Sequence, residues 1–240
     1  METLKSPAHP VRLSGNGLKL IAILAMVVDH AAITLIPGDF PGLFLLRAIG
    51  RLAAPILCFF IAEGYFHTSH LGRYMGRLLL VGVVSHIPYT LCVSGGLWRG
   101  WRGTDVLFSL LAGLAALAVC QNVRLAPWQK LLAIMACCLL SLSADWNYIA
   151  VFWILGFGMF RGNRRGQMLV LAGVGCLYLL QGVFSAGFLP FISRFGVFLA
   201  IPLLLLYSGE RGQKSRWIQW GFYWFYPVHL MVLYLLCRLL

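Results

Sequence analysis

Charge is what this sequence has least of. Asp and Glu together number 7 in 240 residues, and charged side chains of both signs make up 11% of the chain, where a soluble domain carries roughly a quarter. With 60% apolar residues and a mean hydropathy of +0.84, there is no room for a large soluble domain. Cys-x-x-Cys pairs are missing too. The 7 cysteines (58, 92, 120, 137, 138, 176 and 237) all lie inside apolar runs. Neither a disulfide framework nor a redox motif is expected from them, and they read as small hydrophobes. Internal repeats, low-complexity linkers and composition breaks are also absent, so residues 1–240 are expected to form a single integral membrane domain. The opening METLKSPAHPVRLSGNG is polar and basic, but the apolar run behind it has no small-residue cleavage site. Residues 1–17 are therefore expected to be a short cytoplasmic tail before a retained first span.

Apolar runs recur along the chain at 18–37, 43–65, 76–95, 105–121, 131–145, 148–160, 168–184, 194–208 and 218–237. The fold class expected is all-α, a polytopic transmembrane helical bundle of about nine spans. Several runs fall short of the roughly 20 residues an upright span needs, which leaves re-entrant or merged segments open. With the amino terminus inside, 13 cations lie on the cytoplasmic side and only Arg99, Arg102, Arg194 and Arg238 outside. That asymmetry sets the carboxyl terminus outside. The net charge of +12 then reflects topology and attraction to the anionic face of a lipid bilayer, and no nucleic-acid partner is expected.

Setting loop charges aside leaves Asp29, His30, Arg47, Arg51, Glu63, His86 and His229 inside the spans. Such residues are costly, about 2.5–3.5 kcal/mol for a carboxylate at mid-bilayer, and are functional candidates when a partner can be named. In LKLIAILAMVVDHAAITLIP (18–37), His30 lies roughly 18 Å along the helix from Leu18, past the midplane. Arg47 and Arg51 enter from the same side, and their i, i+4 spacing puts both on one helix face. Two cations side by side need an anion between helices, and Asp29 is at the right depth. His86 and His229 lie near mid-membrane as well, so polar groups from four helices are expected to converge on one layer.

Each has a plainer role. Asp29 with either arginine can be a structural ion pair. His86 precedes Pro88, where a kink frees carbonyls that an imidazole can cap. Glu63 and His67 are close enough to the cytoplasmic end to reach water. His67 and His70, in HTSH, have metal-like spacing but no further ligands nearby, so no metal is expected. His30 is hardest to explain by packing, because a titratable ring stands beside a carboxylate. YWFYPVHL (223–230) combines interface aromatics with a Pro-x-His and Tyr226, which suits the wall of a polar cavity.

Together these stretches resemble the TraX family, membrane acetylases of conjugative pilins. The matching pieces are GLKLIAILAMVVDH (17–30), GRLAAPILCFFIAEGYFHTSH (50–70), RYMGRLLLVGVVSHIPY (73–89), DVLFSLLAGL (105–114) and YWFYPVHL (223–230). Residues 122–216 match mainly in hydropathy, and Cys58 departs mildly from the expected apolar residue. The resemblance implies acetyl transfer from acetyl-CoA to the amino terminus of a processed pilin subunit, in the inner membrane of a bacterium.

An amine attacks a thioester only when unprotonated, and an α-amino group has a pKa near 8, so a base close to neutral is needed. His30 is expected in that role, with Asp29 or another acceptor fixing its tautomer and His86 or His229 as substitutes. Arg47 and Arg51 would stabilise the oxyanion or hold part of the cofactor. Arg73 and Arg77, paired at i, i+4, are expected to meet the CoA phosphates, with Glu63, His67 and Tyr226 completing the cofactor contacts. Two alternatives stay open: an O-acetyltransferase for a glycan or lipid hydroxyl, and a proton-coupled transporter using Asp29, His30 and His86 as a relay.

Overall fold

The computed structural model describes residues 12–93, 103–183, 187–213 and 215–239. Residues 1–11 of the expected tail, the segment with Arg99 and Arg102, and Lys214 lie outside the described residues. Among those described, every regular element is helical, apart from two isolated bridges, Leu13 with Tyr207 and Thr104 with Ala144.

The sequence shows where most helices start and stop. In α1 (Gly15–Leu35), Ser14 caps the start by accepting from the Gly17 amide at 3.2 Å, and Pro37 follows the end. α2 (Leu43–Arg51) and α3 (Ala53–His67) form one long run broken at Leu52. Pro55, in the first turn of α3, has no N–H for the Arg51 carbonyl, which explains the break. α4 (Leu71–Cys92) carries Pro88 near its far end. Asp105 caps α5 (Val106–Gln121), accepting from the Leu107 amide at 2.9 Å. Pro127 opens α6 (Pro127–Leu140), a favoured first position because its missing N–H would be unbonded anyway. α7 (Asn147–Met159) and α8 (Arg164–Val183) follow. Next come α9 (Phe188–Ser193), a 3-10 stretch (Arg194–Leu199) and α10 (Ala200–Leu205), and the chain closes with α11 (Arg216–Leu239).

Each of the expected apolar runs coincides with a helical stretch. Six helices are long and apolar enough to cross a membrane: Gly15–Leu35, Leu43–His67, Leu71–Cys92, Arg164–Val183, Phe188–Leu205 and Trp217–Leu239. The other three, α5, α6 and α7, are apolar but shorter. α7 is short because it lies inside protein: Ile149, Val151, Trp153 and Ile154 are all 0% exposed. It packs between α3, α5 and α8, and a helix wrapped by neighbours need not match a lipid thickness.

With α2–α3 and α9–α10 each counted as one run, successive helices alternate in direction between two ends. At one end the Leu13 amide donates to the Leu206 carbonyl and Arg164 donates to the Tyr207 carbonyl, each at 2.8 Å. At the other, the Thr104 amide donates to the Ser143 carbonyl at 2.7 Å. This second end gathers the termini of α1, α4, α6 and α8, and it holds the polar cluster.

Candidate functional site

α1 supplies two adjacent side chains that face different neighbours. Asp29 faces α2, where Gly50 lets the helices touch: a Cβ at residue 50 would run into the Asp29 side chain. Gly196 does the same on the other side of α2, where a Cβ would overlap the Ala48 carbonyl. Held between these contacts, Arg47 reaches Asp29, with Nη1 3.4 Å from Oδ1. Arg51, one turn on, turns elsewhere, and its guanidinium lies 5.3 Å from the Trp146 ring centroid. Among the described residues Asp29 is in ion-pair contact with Arg47, while Arg51 feels the charges of Asp29 and Asp145 without such a contact. The expected ion pair exists for Arg47, and Arg51 makes a cation–π contact instead.

His30 faces α11. Its Nδ1 lies 2.8 Å from His229 Nε2, and His229 Nδ1 lies 2.9 Å from the Phe225 carbonyl. A carbonyl only accepts, so His229 carries its proton on Nδ1. In a neutral ring its Nε2 is then an acceptor and must receive a proton from His30 Nδ1. The ladder leaves His30 Nε2 with the lone pair, ready to accept a proton. His229, rather than Asp29, thus sets the His30 tautomer. Phe225 stands one turn before His229 on α11, and Pro227 between them lacks the N–H that would otherwise bond the Tyr223 carbonyl. Tyr226 closes the pair, its ring 6.2 Å from His30 and 5.5 Å from His229.

A cavity of about 30 Å³ lies against His30, lined also by Asp29, Gly50, Ala53, Asp145 and Trp146 among others. It has room for about one water by volume. Asp145 and Trp146 also line a second cavity of about 240 Å³, together with Arg51, Asn147, Tyr178, Gln181 and Arg194. The partition between the cavities is strained. Trp146 at φ 64° and Asn147 at φ 31° are the non-glycine residues with positive φ among the described residues, and such backbone persists only where surrounding bonds hold it. Asp145 Oδ1 accepts from the Trp146 amide at 3.1 Å, Asn147 Oδ1 accepts from the Ile149 amide at 3.2 Å, and Trp146 packs on Trp153 and Tyr178.

The other expected residues fall elsewhere. His86 stands edge-on to Phe108, and its Nδ1 is buried without a hydrogen-bond partner, so it does not cap a carbonyl at the Pro88 kink through that nitrogen. Glu63 and His67 lie at the opposite end in an exposed network. Arg161 Nε is 3.3 Å from Glu63 Oε1, and Arg161 Nη2 is 3.3 Å from His67 Nε2. Tyr226 lies with the histidines, far along α11 from that end. Arg73 is exposed, while Arg77, on the same helix face, lies 5.8 Å from the Tyr223 ring centroid.

Asp145, Trp146, Tyr178, Arg194 and Asp105 were not among the sequence candidates. Asp145 and Asp105 border apolar runs and pass for loop charges, and Arg194 passes for an outer-loop cation. Arg194 in fact donates through Nη1 to the Tyr178 carbonyl at 3.0 Å and covers the Tyr178 ring at 4.4 Å. Asp105 is 0% exposed, and its Oδ2 has no hydrogen-bond partner. The available signal was DWN (145–147), a charged and aromatic tripeptide wedged between two short apolar runs.

A proton acceptor, carboxylates and guanidinium groups therefore converge in one half of the bundle. The arrangement can take a proton at His30 Nε2 and stabilise negative charge nearby through Arg47 or Arg51. Among known proteins, the family described as TraX protein matches residues 14–237. The chain is 32% identical over 234 residues to a probable fimbrial assembly protein FimC, serogroup H1, of Dichelobacter nodosus, covering 93% of this chain and 95% of that protein. It is also 30% identical over 96 residues to an uncharacterized protein of Rickettsia prowazekii, covering 40% of this chain and 33% of that one. No solved structure matches.

Proposed function

Because this chain belongs to the TraX family, we propose that it is a membrane acetyltransferase of pilus biogenesis, moving an acetyl group from acetyl-CoA to the amino terminus of a processed pilin subunit. The fimbrial assembly name of its Dichelobacter relative supports a pilus-related role and a pilin partner. The observation that carries the chemistry is the ladder from the Phe225 carbonyl through His229 to His30. It leaves an acceptor nitrogen on His30, which lines a small cavity together with Asp29 and Asp145. Amine acetylation needs that group, since the nucleophile must lose a proton as it attacks.

The protein sits in the bacterial inner membrane as one domain of about nine crossings, with the cation-rich end cytoplasmic by the positive-inside rule. The short α5, α6 and α7 complete the alternation. The polar cluster then lies in the outer half, and the CoA phosphates stay at the cytoplasmic face. Cations there fit phosphates. Lys19 lies 4.9 Å from the Phe60 ring centroid and 5.8 Å from that of Phe222, and it feels the like charge of Arg211. Arg77 Nε is buried without a hydrogen-bond partner. Lys19, Arg77 and Arg211 have no carboxylate in ion-pair contact among the described residues. Paired cations beside aromatic rings suit a nucleotide phosphate, with Arg73 at the rim.

From Lys19 to His30 is 11 residues of α1, about 16 Å. An arm as long as roughly five extended peptide units covers that distance, which a pantetheine does. The deciding experiment is intact-mass analysis of membrane pilins from cells with and without this gene. An acetyl increment present with the gene and lost without it supports the assignment; identical masses sink it.

A further inference from the structure

We infer that the larger cavity receives the acceptor's ammonium end and that Asp145 makes the enzyme select an amine over a hydroxyl. This rests on the acetyl-transfer reading above and adds to it the acceptor subsite. The cavity, about 240 Å³, is large enough for an amino-terminal residue and its peptide group, being about eight times the volume of one liquid water. Its lining mixes signs. Arg51 and Arg194 provide cations, Asp145 a carboxylate, and Asn147, Tyr178 and Gln181 neutral polar groups. Each arginine is already held by an aromatic neighbour, Arg51 over Trp146 and Arg194 over Tyr178, so both are fixed in place. Fixed guanidinium groups can take the carbonyl oxygens of an entering chain.

Asp145 stands where the two cavities meet. A group that reaches its carboxylate from the larger cavity is therefore next to the space that His30 lines. The left-handed backbone at Trp146 and Asn147 holds the carboxylate at this junction, because Asp145 Oδ1 is itself tied to the Trp146 amide. Strain kept at such a point is the mark of a position that geometry must satisfy. An α-ammonium donates a charge-assisted hydrogen bond to Asp145, roughly twice as strong as the neutral bond a hydroxyl would make. Preference for an amine follows from that difference.

The step balances. The bound ammonium first gives one proton to water in the cavity. The neutral nitrogen then forms a bond to the thioester carbonyl carbon, and the carbon–sulfur bond breaks. The proton shed by that nitrogen goes to His30 Nε2 and from there to the departing thiolate. The products are the amide and the free thiol, with one proton released to solvent per turnover.

The test uses the full-length protein in detergent or nanodiscs, acetyl-CoA, and two synthetic apolar decapeptide amides of the same sequence. One begins with a free α-amino group and the other with an α-hydroxyl. Wild type should acetylate the amine peptide far better. Asp145→Asn should raise KM for the amine peptide roughly 10–100-fold, as loss of a hydrogen bond to a charged group does. It should change kcat much less, leave KM for the hydroxyl peptide nearly unchanged, and keep acetyl-CoA affinity by calorimetry. An Asp145→Asn protein with wild-type KM and discrimination overturns the inference. If Asp145→Asn loses acetyl-CoA affinity because it misfolds, Asp145→Glu decides. Its displaced carboxylate should weaken the amine peptide alone, and equal changes in both peptides overturn the inference. A wild type that binds acetyl-CoA and acetylates neither peptide, while pilin masses still show the gene-dependent increment, overturns the inference and leaves the acetyl-transfer assignment standing. Absence of that increment removes both.

Discussion

His30 Nδ1 and His229 Nε2 lie 2.8 Å apart and join the first helix to the last. Because the Phe225 carbonyl fixes the proton on His229, the contact has a direction. His30 donates through Nδ1 and keeps its Nε2 lone pair. In the proposed reaction this would make His229 a positioning residue and His30 the group that meets the acceptor.

His30→Ala should abolish acetyl transfer. His229→Ala should lower kcat roughly 10²-fold, at the lower end of what a general base contributes, with KM for acetyl-CoA unchanged. The double variant should be no worse than His30→Ala, because one residue works through the other. Steady-state kinetics on the three proteins checks this, and a silent His229→Ala would refute the positioning role.

Asp29 and Arg47 form an ion pair with side chains 14% and 22% exposed. Removing one partner should destabilise the protein by about 3–5 kcal/mol, since an unpaired charge is left in the bundle, whereas removing both should be milder. Unfolding of Asp29→Asn, Arg47→Gln and the double variant measures it. If the stable double variant also recovers turnover, Arg47 is structural and oxyanion stabilisation passes to Arg51.

Gly50→Ala places a methyl group against the Asp29 side chain, whereas a Cβ at Gly38 meets nothing within 4 Å. Overpacking of this kind costs about 1–3 kcal/mol. Gly50→Ala should therefore lower the thermal midpoint and the activity together, and Gly38→Ala should change neither. Equal midpoints for the two variants would mean that α1 and α2 do not need this close approach.

Lys19 and Arg77, replaced together by Gln, should raise the apparent KM for acetyl-CoA and flatten its dependence on salt, because screened phosphate contacts are lost. Saturated turnover should change little, since these contacts act equally on ground and transition states. A rise in KM that is the same at all salt concentrations would point to a packing defect, through loss of the contacts with Phe60, Phe222 and Tyr223.

Hydropathy alone located the helices. Apolar runs and their caps are local properties, and Ser14, Asp105 and Pro127 sit where helix ends need an acceptor or tolerate a missing N–H. The cost of burying charge likewise singled out Asp29, His30, Arg47, Arg51 and His229 from the sequence. Which of them meet was decided by tertiary structure. Depth along a helix does not give azimuth, so Arg47 and Arg51 looked equivalent until Gly50 and Gly196 fixed how α2 lies against its neighbours. His86 shares the expected depth, yet its ring faces Phe108. Asp145 and Arg194 could not be singled out beforehand, because a charge at the end of an apolar run is ordinary in sequence. It becomes part of a site only when distant segments fold around it, as the 3-10 stretch, α8 and the strained turn before α7 do here.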